Sequence, residues 1–152
     1  MSHYLDANDF LSVVRDTPLV SIDLIVLNEK GQVLLGKRCN KPAQGFWFVP
    51  GGRIQKDEPL DAAFVRLTKE ELGLEIMRKE AKLKGIYEHF YSDNFAAKSD
   101  ITTHYVVLAY QVFVSSTQVA APLVQHSNYL WREPLQIVCD DSVHYNTRVY
   151  FE

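Results

Sequence analysis

The sequence lacks the features that mark disulfide-rich, membrane-spanning and secreted proteins. Its 152 residues include only two cysteines, Cys39 and Cys139, so we expect free thiols rather than a disulfide framework. No apolar run approaches the roughly 20 residues that a membrane-spanning helix needs. The first ten residues lack the basic and apolar segments of a secretory signal. We therefore expect a cytoplasmic protein that has no membrane partner.

An excess of positive charge is also missing. Sixteen Lys and Arg residues against 19 Asp and Glu residues give a formal net charge of -3. This balance argues against a surface that coats nucleic acid, although a small phosphate pocket can still be basic. The apolar fraction of 47% and the charged fraction of 23% are ordinary for a globular protein. Without repeats, low-complexity tracts or linkers, residues 1–152 are predicted to form one domain.

Hydrophobic patterning predicts an α/β protein. Asp6 or Asn8 caps a first helix, which ends before Pro18. Strands are predicted at residues 19–27, 32–38, 46–49, 83–91, 101–114 and 128–131. A turn at residues 29–31 makes the first two strands a hairpin.

Two further helices complete this prediction. Pro59 suits the first turn of a helix and Gly73 its end, which bounds a helix in the middle of the chain. A last helix is predicted near residues 141–151. Helices on both sides of the strands describe an α/β/α sandwich around a mixed sheet.

The most informative segment is residues 51–74, GGRIQKDEPLDAAFVRLTKEELGL. Five residues separate Gly52 from Glu58, and seven separate Glu58 from Arg66. Because a helix places residues three and four apart on one face, Leu67, Glu70 and Glu71 should lie along one side. Arg66 is expected to orient a carboxylate, either Glu58 or Glu70.

This layout resembles the Nudix box, the loop-helix-loop of hydrolases that act on nucleoside diphosphates linked to another group. In such boxes the residue after the arginine is usually glutamate, whereas here it is Leu67. The resemblance implies that box carboxylates bind Mg²⁺, which prefers oxygen ligands. With one anionic ligand lost, the site should hold fewer ions or recruit a ligand from elsewhere.

Segments outside the box resemble one Nudix branch, the GDP-mannose mannosyl hydrolases. They are TPLVSIDLIV, LLGKRCNKPAQGFWFVPGGR, EHFYSDNF, TTHYVVL and the pair Gln125-His126. A leucine after the box arginine also belongs to that branch. The resemblance implies that water attacks the anomeric carbon of GDP-mannose, or of GDP-glucose, with inversion, and releases GDP and the free sugar.

The same resemblance assigns the reacting groups. It implies one Mg²⁺ per subunit, with Mn²⁺ as a substitute, held by the Gly51 carbonyl, Glu71 and Gln125, and His126 as the general base. A histidine suits that role because it titrates near neutral pH. Arg38 and Arg53 are expected to clamp the diphosphate, since the planar guanidinium matches phosphate oxygens.

Weaker candidates complete the predicted substrate site. Asp23, His89 and Tyr105 are expected to contact the sugar or the diphosphate, and Phe10 offers a stacking surface for guanine. The resemblance also implies a homodimer in which the neighbouring subunit helps to bind the nucleotide. No nucleic-acid partner is expected.

The sequence leaves two other functions open. A conventional Nudix pyrophosphatase would cut GDP-mannose at phosphorus and release GMP and mannose 1-phosphate; a glutamate at position 67 would have favoured it. A non-catalytic nucleotide-sugar sensor would bind nucleotide without turnover. It fits less well, because Glu58, Arg66, Glu71 and both glycines are all present.

Overall fold

The computed structural model describes residues 4–120 and 126–152, with the backbone alone at 126 and 127. The helices are α1 (Ala7–Asp16), α2 (Leu60–Leu72), α3 (Pro134–Val138) and α4 (Tyr145–Arg148). The strands are β1 (Leu19–Leu27), β2 (Val33–Arg38), β3 (Trp47–Phe48), β4 (Gly51–Arg53), β5 (Lys82–Tyr91), β6 (Thr103–Phe113) and β7 (His126–Arg132). No helix within the described ranges is both long and apolar enough to cross a membrane.

Local sequence signals set the ends of α1 and α2. The Asp6 carboxylate caps α1 by accepting a hydrogen bond from the Asp9 N–H at 2.8 Å. Gly73 ends α2 in the left-handed conformation, with φ 71°, and its N–H bonds the Lys69 carbonyl at 3.0 Å. Pro59 caps α2 one position before its first turn.

A mixed seven-stranded sheet forms the centre of the described residues. Its order is β3-β2-β1-β6-β5, with β4 added to β1 and β7 added to β2. The β1–β6 pairing is parallel and the other named pairings are antiparallel. Because β4 pairs with residues 21–23 of β1, the glycine-rich segment is fixed beside a central strand.

Apolar clusters cover both faces of the sheet. On one face, Phe64 and Leu67 of α2 pack with β1 and β6 residues that include Ile22 and Leu24. On the other face, Ile137 of α3 and Tyr150, which follows α4, pack against the remaining side of the sheet. Helices therefore lie on both sides of a mixed sheet, and the predicted α/β/α sandwich is confirmed.

Some predicted elements are wrong in detail. The predicted hairpin of β1 and β2 forms, but its pairing is confined to Leu27 and Val33, because β4 takes the same edge of β1 at residues 21–23. The helix predicted at residues 141–151 is reduced to Tyr145–Arg148, since Val143 bridges to Trp47 as extended chain. Neither β4 nor α3 was predicted, because both are too short to show a hydrophobic period.

Candidate active site

A cavity of about 350 Å³ opens beside β4, between α1 and the ends of the central strands. Its lining includes every predicted substrate residue, together with Gly51. The lining residues are Phe10, Val14, Ser21, Asp23, Arg38, Asn40, Lys41, Pro42, Phe48, Val49, Gly51, Gly52, Arg53, His89, Tyr91, Phe95, Thr103 and Tyr105. The structure thus brings together candidates that lie as far apart in sequence as α1 and β6.

Arg66 of α2 organises the loop between β4 and α2. Its Nε and Nη2 donate to the two Glu58 carboxylate oxygens at 2.7 and 2.9 Å. Nη2 also donates to the Arg53 carbonyl at 2.9 Å, and Nη1 donates to Glu70 at 3.1 Å. Arg66 therefore orients both candidate carboxylates and fixes the peptide of Arg53, which lines the cavity. The hydrogen bonds from Arg66 hold the pKa of Glu58 below its usual value.

Gly51 and Gly52 have no room for a side chain. A Cβ at Gly51 would collide with the Ile22 carbonyl oxygen and would lie 2.5 Å from Asp23 Oδ1. A Cβ at Gly52 would collide with the Leu67 side chain. The two glycines thus let β4 lie close to both β1 and α2, and this close packing brings the Gly51 backbone beside Asp23.

Glu71 is a buried carboxylate near this packing point. Glu71 is only 4% exposed, and none of the described residues donates a hydrogen bond to its carboxylate. Burial, with smaller effects from the charges of Glu70 and Asp23, raises the pKa of Glu71 to about 7, while the Arg38 charge acts to lower it. Glu71 does not line the cavity itself, but it lies within electrostatic reach of two residues that do.

The predicted alignment of Leu67, Glu70 and Glu71 holds for only two of them. Leu67 is 2% exposed and packs in the core beside Gly52, on the same buried side as Glu71. The Glu70 side chain is 48% exposed and pairs with Arg66. The helical rotation of 100° per residue and the pull of Arg66 turn Glu70 away from the buried side. Hydrocarbon therefore fills the position of the third box carboxylate.

The residues present suit one cation that takes some of its ligands from the protein and the others from a substrate. Within the described part of the chain, no cluster of three His, Cys, Asp or Glu side chains could hold a metal on its own. A buried Glu71 carboxylate that accepts no hydrogen bond from the described residues is a hard oxygen ligand available to a cation. Mg²⁺ commonly combines one or two protein carboxylates with substrate phosphates. The single buried carboxylate of Glu71 is consistent with such a site.

Arg38 and Arg53 bring positive charge to the cavity. The Arg38 guanidinium lies 5.7 Å from the centre of the Phe48 ring, and its Nε donates to the Asn40 carbonyl at 3.4 Å. The Arg53 guanidinium lies 4.7 Å from the centre of the Phe10 ring. Stacking on aromatic rings holds both planar groups while leaving donors available for phosphate oxygens.

Asp23 and His89 form an acceptor-rich part of the same cavity. Tyr150 donates its hydroxyl to Asp23 Oδ2 at 2.6 Å and lies 3.1 Å from His89 Nε2. Burial raises the pKa of Asp23 to about 7, against the hydrogen bond from Tyr150 and the charge of Arg38. Burial lowers the pKa of His89 to about 4, so its ring is neutral at pH 7. Burial also raises the pKa of the nearby Tyr105 hydroxyl.

Two aromatic side chains face each other at the cavity wall. The Phe10 ring of α1 and the Phe95 ring, in the loop between β5 and β6, have centres 5.0 Å apart. Phe95 is 37% exposed. This pair is an apolar surface on which a planar base can stack.

Of the predicted ligand Gln125 and the predicted base His126, only His126 is described, and only by its backbone. Gln125 lies outside the described residues. His126 begins β7, and its backbone pairs with that of Arg38 after an irregularity in the β2–β7 pairing. This register places the His126 backbone opposite a strand position whose side chain lines the cavity.

Sequence reasoning missed Tyr150 and gave no role to Phe95. Phe95 lies in the segment EHFYSDNF, which also contains the predicted site residue His89, so proximity to His89 was an available signal. Tyr150 follows Asp23 by 127 residues and carries no local signal that could connect the two.

Comparison with known proteins identifies the family. A model of the NUDIX domain matches residues 17–144. The chain is 39% identical over 127 residues to the low-salt glycan biosynthesis protein Agl8 of Haloferax volcanii, covering 84% of this chain and 78% of that protein. It is 39% identical over 70 residues to an ADP-ribose pyrophosphatase of Methanocaldococcus jannaschii, covering 46% of this chain and 40% of that protein.

Solved structures share the fold. The MutT protein of Methanosarcina mazei Go1 has a TM-score of 0.70 and 22% identity, over 90% of this chain and 92% of that one. The MutT NUDIX hydrolase of Burkholderia pseudomallei has a TM-score of 0.67 and 25% identity, over 90% and 97%. With the family model matching most of the chain and the box residues in place beside one cavity, this protein belongs to the Nudix family and is a Nudix hydrolase.

Proposed function

We propose that this Nudix hydrolase converts GDP-mannose, or GDP-glucose, to GDP and the free hexose through attack of water on the anomeric carbon. The observation that carries the proposal is the composition of one cavity. Two arginines suited to a diphosphate line it together with Asp23 and neutral His89, which are acceptors suited to sugar hydroxyls. A nucleoside diphosphate sugar presents both kinds of group.

Leu67 supports cleavage at carbon. A conventional box uses its clustered carboxylates to hold metal and water at phosphorus, whereas Leu67 is buried in the core. We propose that Glu71, the Gly51 carbonyl and Gln125 hold one Mg²⁺, or Mn²⁺ in its place. When bound, the ion supplies positive charge that makes the diphosphate a better leaving group.

The chain's own residues complete the proposed reaction. Arg38 and Arg53 bind the diphosphate and stabilise the charge that develops as the glycosidic C–O bond breaks. His126 removes a proton from the attacking water. No acid is needed to protonate the leaving oxygen, because a bound diphosphate leaves as an anion, unlike the alkoxide that ordinary glycosidases must protonate. Attack from the face opposite the nucleotide gives inversion.

We also propose the biological setting, the assembly and the guanine contact of this enzyme. The name of the relative Agl8 connects that protein with glycan biosynthesis, and a nucleotide sugar is the chemical class of substrate that such a setting provides. We propose a cytoplasmic homodimer, and we propose that guanine stacks on Phe10 beside Phe95.

A pyrophosphatase is the second candidate. It is favoured by the names of relatives such as the ADP-ribose pyrophosphatase, although that match covers only 46% of this chain. Product analysis separates the two candidates. With Mg²⁺ present, GDP-mannose and GDP-glucose should yield GDP and free hexose in chromatography with phosphate detection. Release of GMP and hexose 1-phosphate would instead establish the pyrophosphatase, and nucleotide binding without turnover would indicate a sensor.

A further inference from the structure

Tyr150 connects two cavity residues from behind the cavity wall. Its hydroxyl donates to Asp23 Oδ2 at 2.6 Å and lies 3.1 Å from His89 Nε2. Asp23 belongs to β1 and His89 to β5, two strands that are separated in the sheet by β6. Asp23 and His89 line the cavity, whereas Tyr150 does not. A single hydroxyl from the C-terminal segment therefore ties together two strands at the site.

The tyrosine ring is held in one place by its surroundings. The residue is 1% exposed and packs in the apolar cluster beneath α3 and α4. Its ring meets Tyr87 edge to face, with centres 4.7 Å apart. Thr147 anchors the segment, because its Oγ1 accepts from the Val49 N–H at 3.2 Å and its carbonyl accepts from the Tyr150 N–H at 3.1 Å. The hydroxyl consequently has little freedom to move.

The chemistry of a hydroxyl then fixes the roles of its partners. When Asp23 is ionised, the single proton of the Tyr150 O–H goes to Asp23, and the same oxygen can then only accept from His89. That contact requires the His89 tautomer with its proton on Nε2, which leaves Nδ1 as an acceptor. Together, the free lone pairs of Asp23 and His89 Nδ1 provide acceptors where a sugar would offer hydroxyl donors.

We propose that Tyr150 is a positioning residue that fixes Asp23 and His89 as hydrogen-bond acceptors for the hydroxyl groups of the hexose, while Arg38 and Arg53 take the diphosphate. This inference rests on the proposed function and assigns the orientation of the substrate within the cavity. Tyr150 acts through Asp23 and His89 and does not touch the substrate.

The substitution Tyr150→Phe tests this role, with Tyr87→Phe as its matched control. Both remove one hydroxyl from two rings that pack on each other, but the Tyr87 hydroxyl makes no hydrogen bond with any described residue. Tyr150→Phe should lower kcat/KM for the nucleotide sugar by roughly 10-fold or more, because a charged acceptor loses its donor. The inhibition constant of GDP should stay unchanged, since GDP lacks the hexose. Tyr87→Phe should change neither value.

A purely structural role would give another pattern. If Tyr150→Phe weakened GDP and the nucleotide sugar equally, or if kcat/KM were unchanged in a variant that thermal melting shows to be folded, the inference would be overturned.

The tautomer of His89 is a readout that does not depend on the reaction. ¹⁵N NMR of the imidazoles at pH 8, assigned with a His89→Gln variant, should show the proton on Nε2 in the parent protein. Tyr150→Phe should lose this fixed tautomer, whereas Tyr87→Phe should keep it. A proton on Nδ1 in the parent would contradict the inference even if the products were GDP and hexose. Release of GMP with the proton on Nε2 would overturn the proposed function and leave the Tyr150 contacts in place.

Discussion

Glu71 is the residue at which burial and charge conflict most directly. Its carboxylate is buried, and its pKa is raised to about 7 from an ordinary value of 4.5. In the native protein this group binds its proton more tightly than in the unfolded chain. Its contribution to stability is therefore full below pH 4.5 and is lost as the pH rises through about 7.

The direction of this pKa shift predicts how the stability of the metal-free protein depends on pH. The contribution of Glu71 to the free energy of unfolding, up to roughly 3 kcal/mol, should be lost between pH 5 and pH 8. Urea denaturation across this range measures the slope, which should be shallower in Glu71→Gln because the amide does not titrate. Mg²⁺ at pH 8 should stabilise the parent more than the variant, since a ligand stabilises the state that binds it. Equal slopes and equal Mg²⁺ effects would show that Glu71 is not the metal ligand.

His126 carries the second prediction at this scale. His126→Gln should lower kcat by roughly 10²–10⁴-fold with little change in KM, because it removes a general base and leaves the binding groups in place. His104→Gln is the control. The His104 ring stacks on Phe90 with centres 4.4 Å apart, and His104 does not line the cavity. Near-normal turnover of His126→Gln in steady-state assays would remove His126 as the base.

Residue-level prediction worked where chemistry is encoded locally. Gly51, Glu58, Arg66 and Glu71 lie within one short segment of strand, loop and helix, so their spacing alone predicted that they belong to one site. The hydrogen bonds of Arg66 to Glu58 and Glu70 confirm the predicted orientation. Tyr150 could not be predicted, because its contacts depend on how the C-terminal segment folds back over β1 and β5.

At the scale of elements, β4, the following loop and α2 act as one unit. Arg66 ties them together through Glu58 on the loop, the Arg53 carbonyl on β4 and Glu70 on α2. A lysine cannot reproduce this planar set of donors. The position of Arg53 in the cavity therefore depends on a residue outside it.

Arg66→Lys should weaken both stability and activity. We expect a loss of about 1–2 kcal/mol in the free energy of unfolding, since several hydrogen bonds in a half-buried network are removed. The value of kcat/KM should fall because Arg53 loses the anchor of its carbonyl. Arg15→Lys alters an exposed pair with Asp16 and should change neither quantity measurably. An Arg66→Lys protein that matches the parent in urea denaturation and in kcat/KM would contradict this account.

Helices and long strands were predictable from periodicity, but their partners were not. The helix α1, the strand β1 and the helix α2 lie where hydrophobic spacing and capping residues placed them. The predicted hairpin forms at the turn but is short, because the edge of β1 next to β2 is taken by β4 at residues 21–23. Strand pairing is decided by competition among distant segments, which a local pattern does not record.

At the scale of the whole molecule, one face of the sheet leaves apolar side chains exposed. Ile86 and Phe90 of β5 are 66% and 64% exposed, and Val20 of β1 is 43% exposed. Their register with β6 places all three on the same face. An apolar surface of this kind commonly marks a protein interface, and it supports the proposed homodimer.

Sedimentation equilibrium tests that assembly. The parent should sediment as a dimer of the 17.4 kDa chain. Ile86→Lys should shift it toward monomer, because a charge would be buried in the interface. Leu135→Lys is the control, since Leu135 of α3 is already 84% exposed in the chain and lies on another element. A monomeric parent would contradict the dimer, and a dimeric Ile86→Lys protein would remove this face as the interface.

The central claim is that water attacks the sugar carbon and leaves phosphorus untouched. Hydrolysis of GDP-mannose in H₂¹⁸O, followed by mass spectrometry of both products, tests it most directly. We predict that ¹⁸O enters the released mannose and that GDP contains none. Incorporation of ¹⁸O into a phosphate group, whether in GMP or in mannose 1-phosphate, would contradict it.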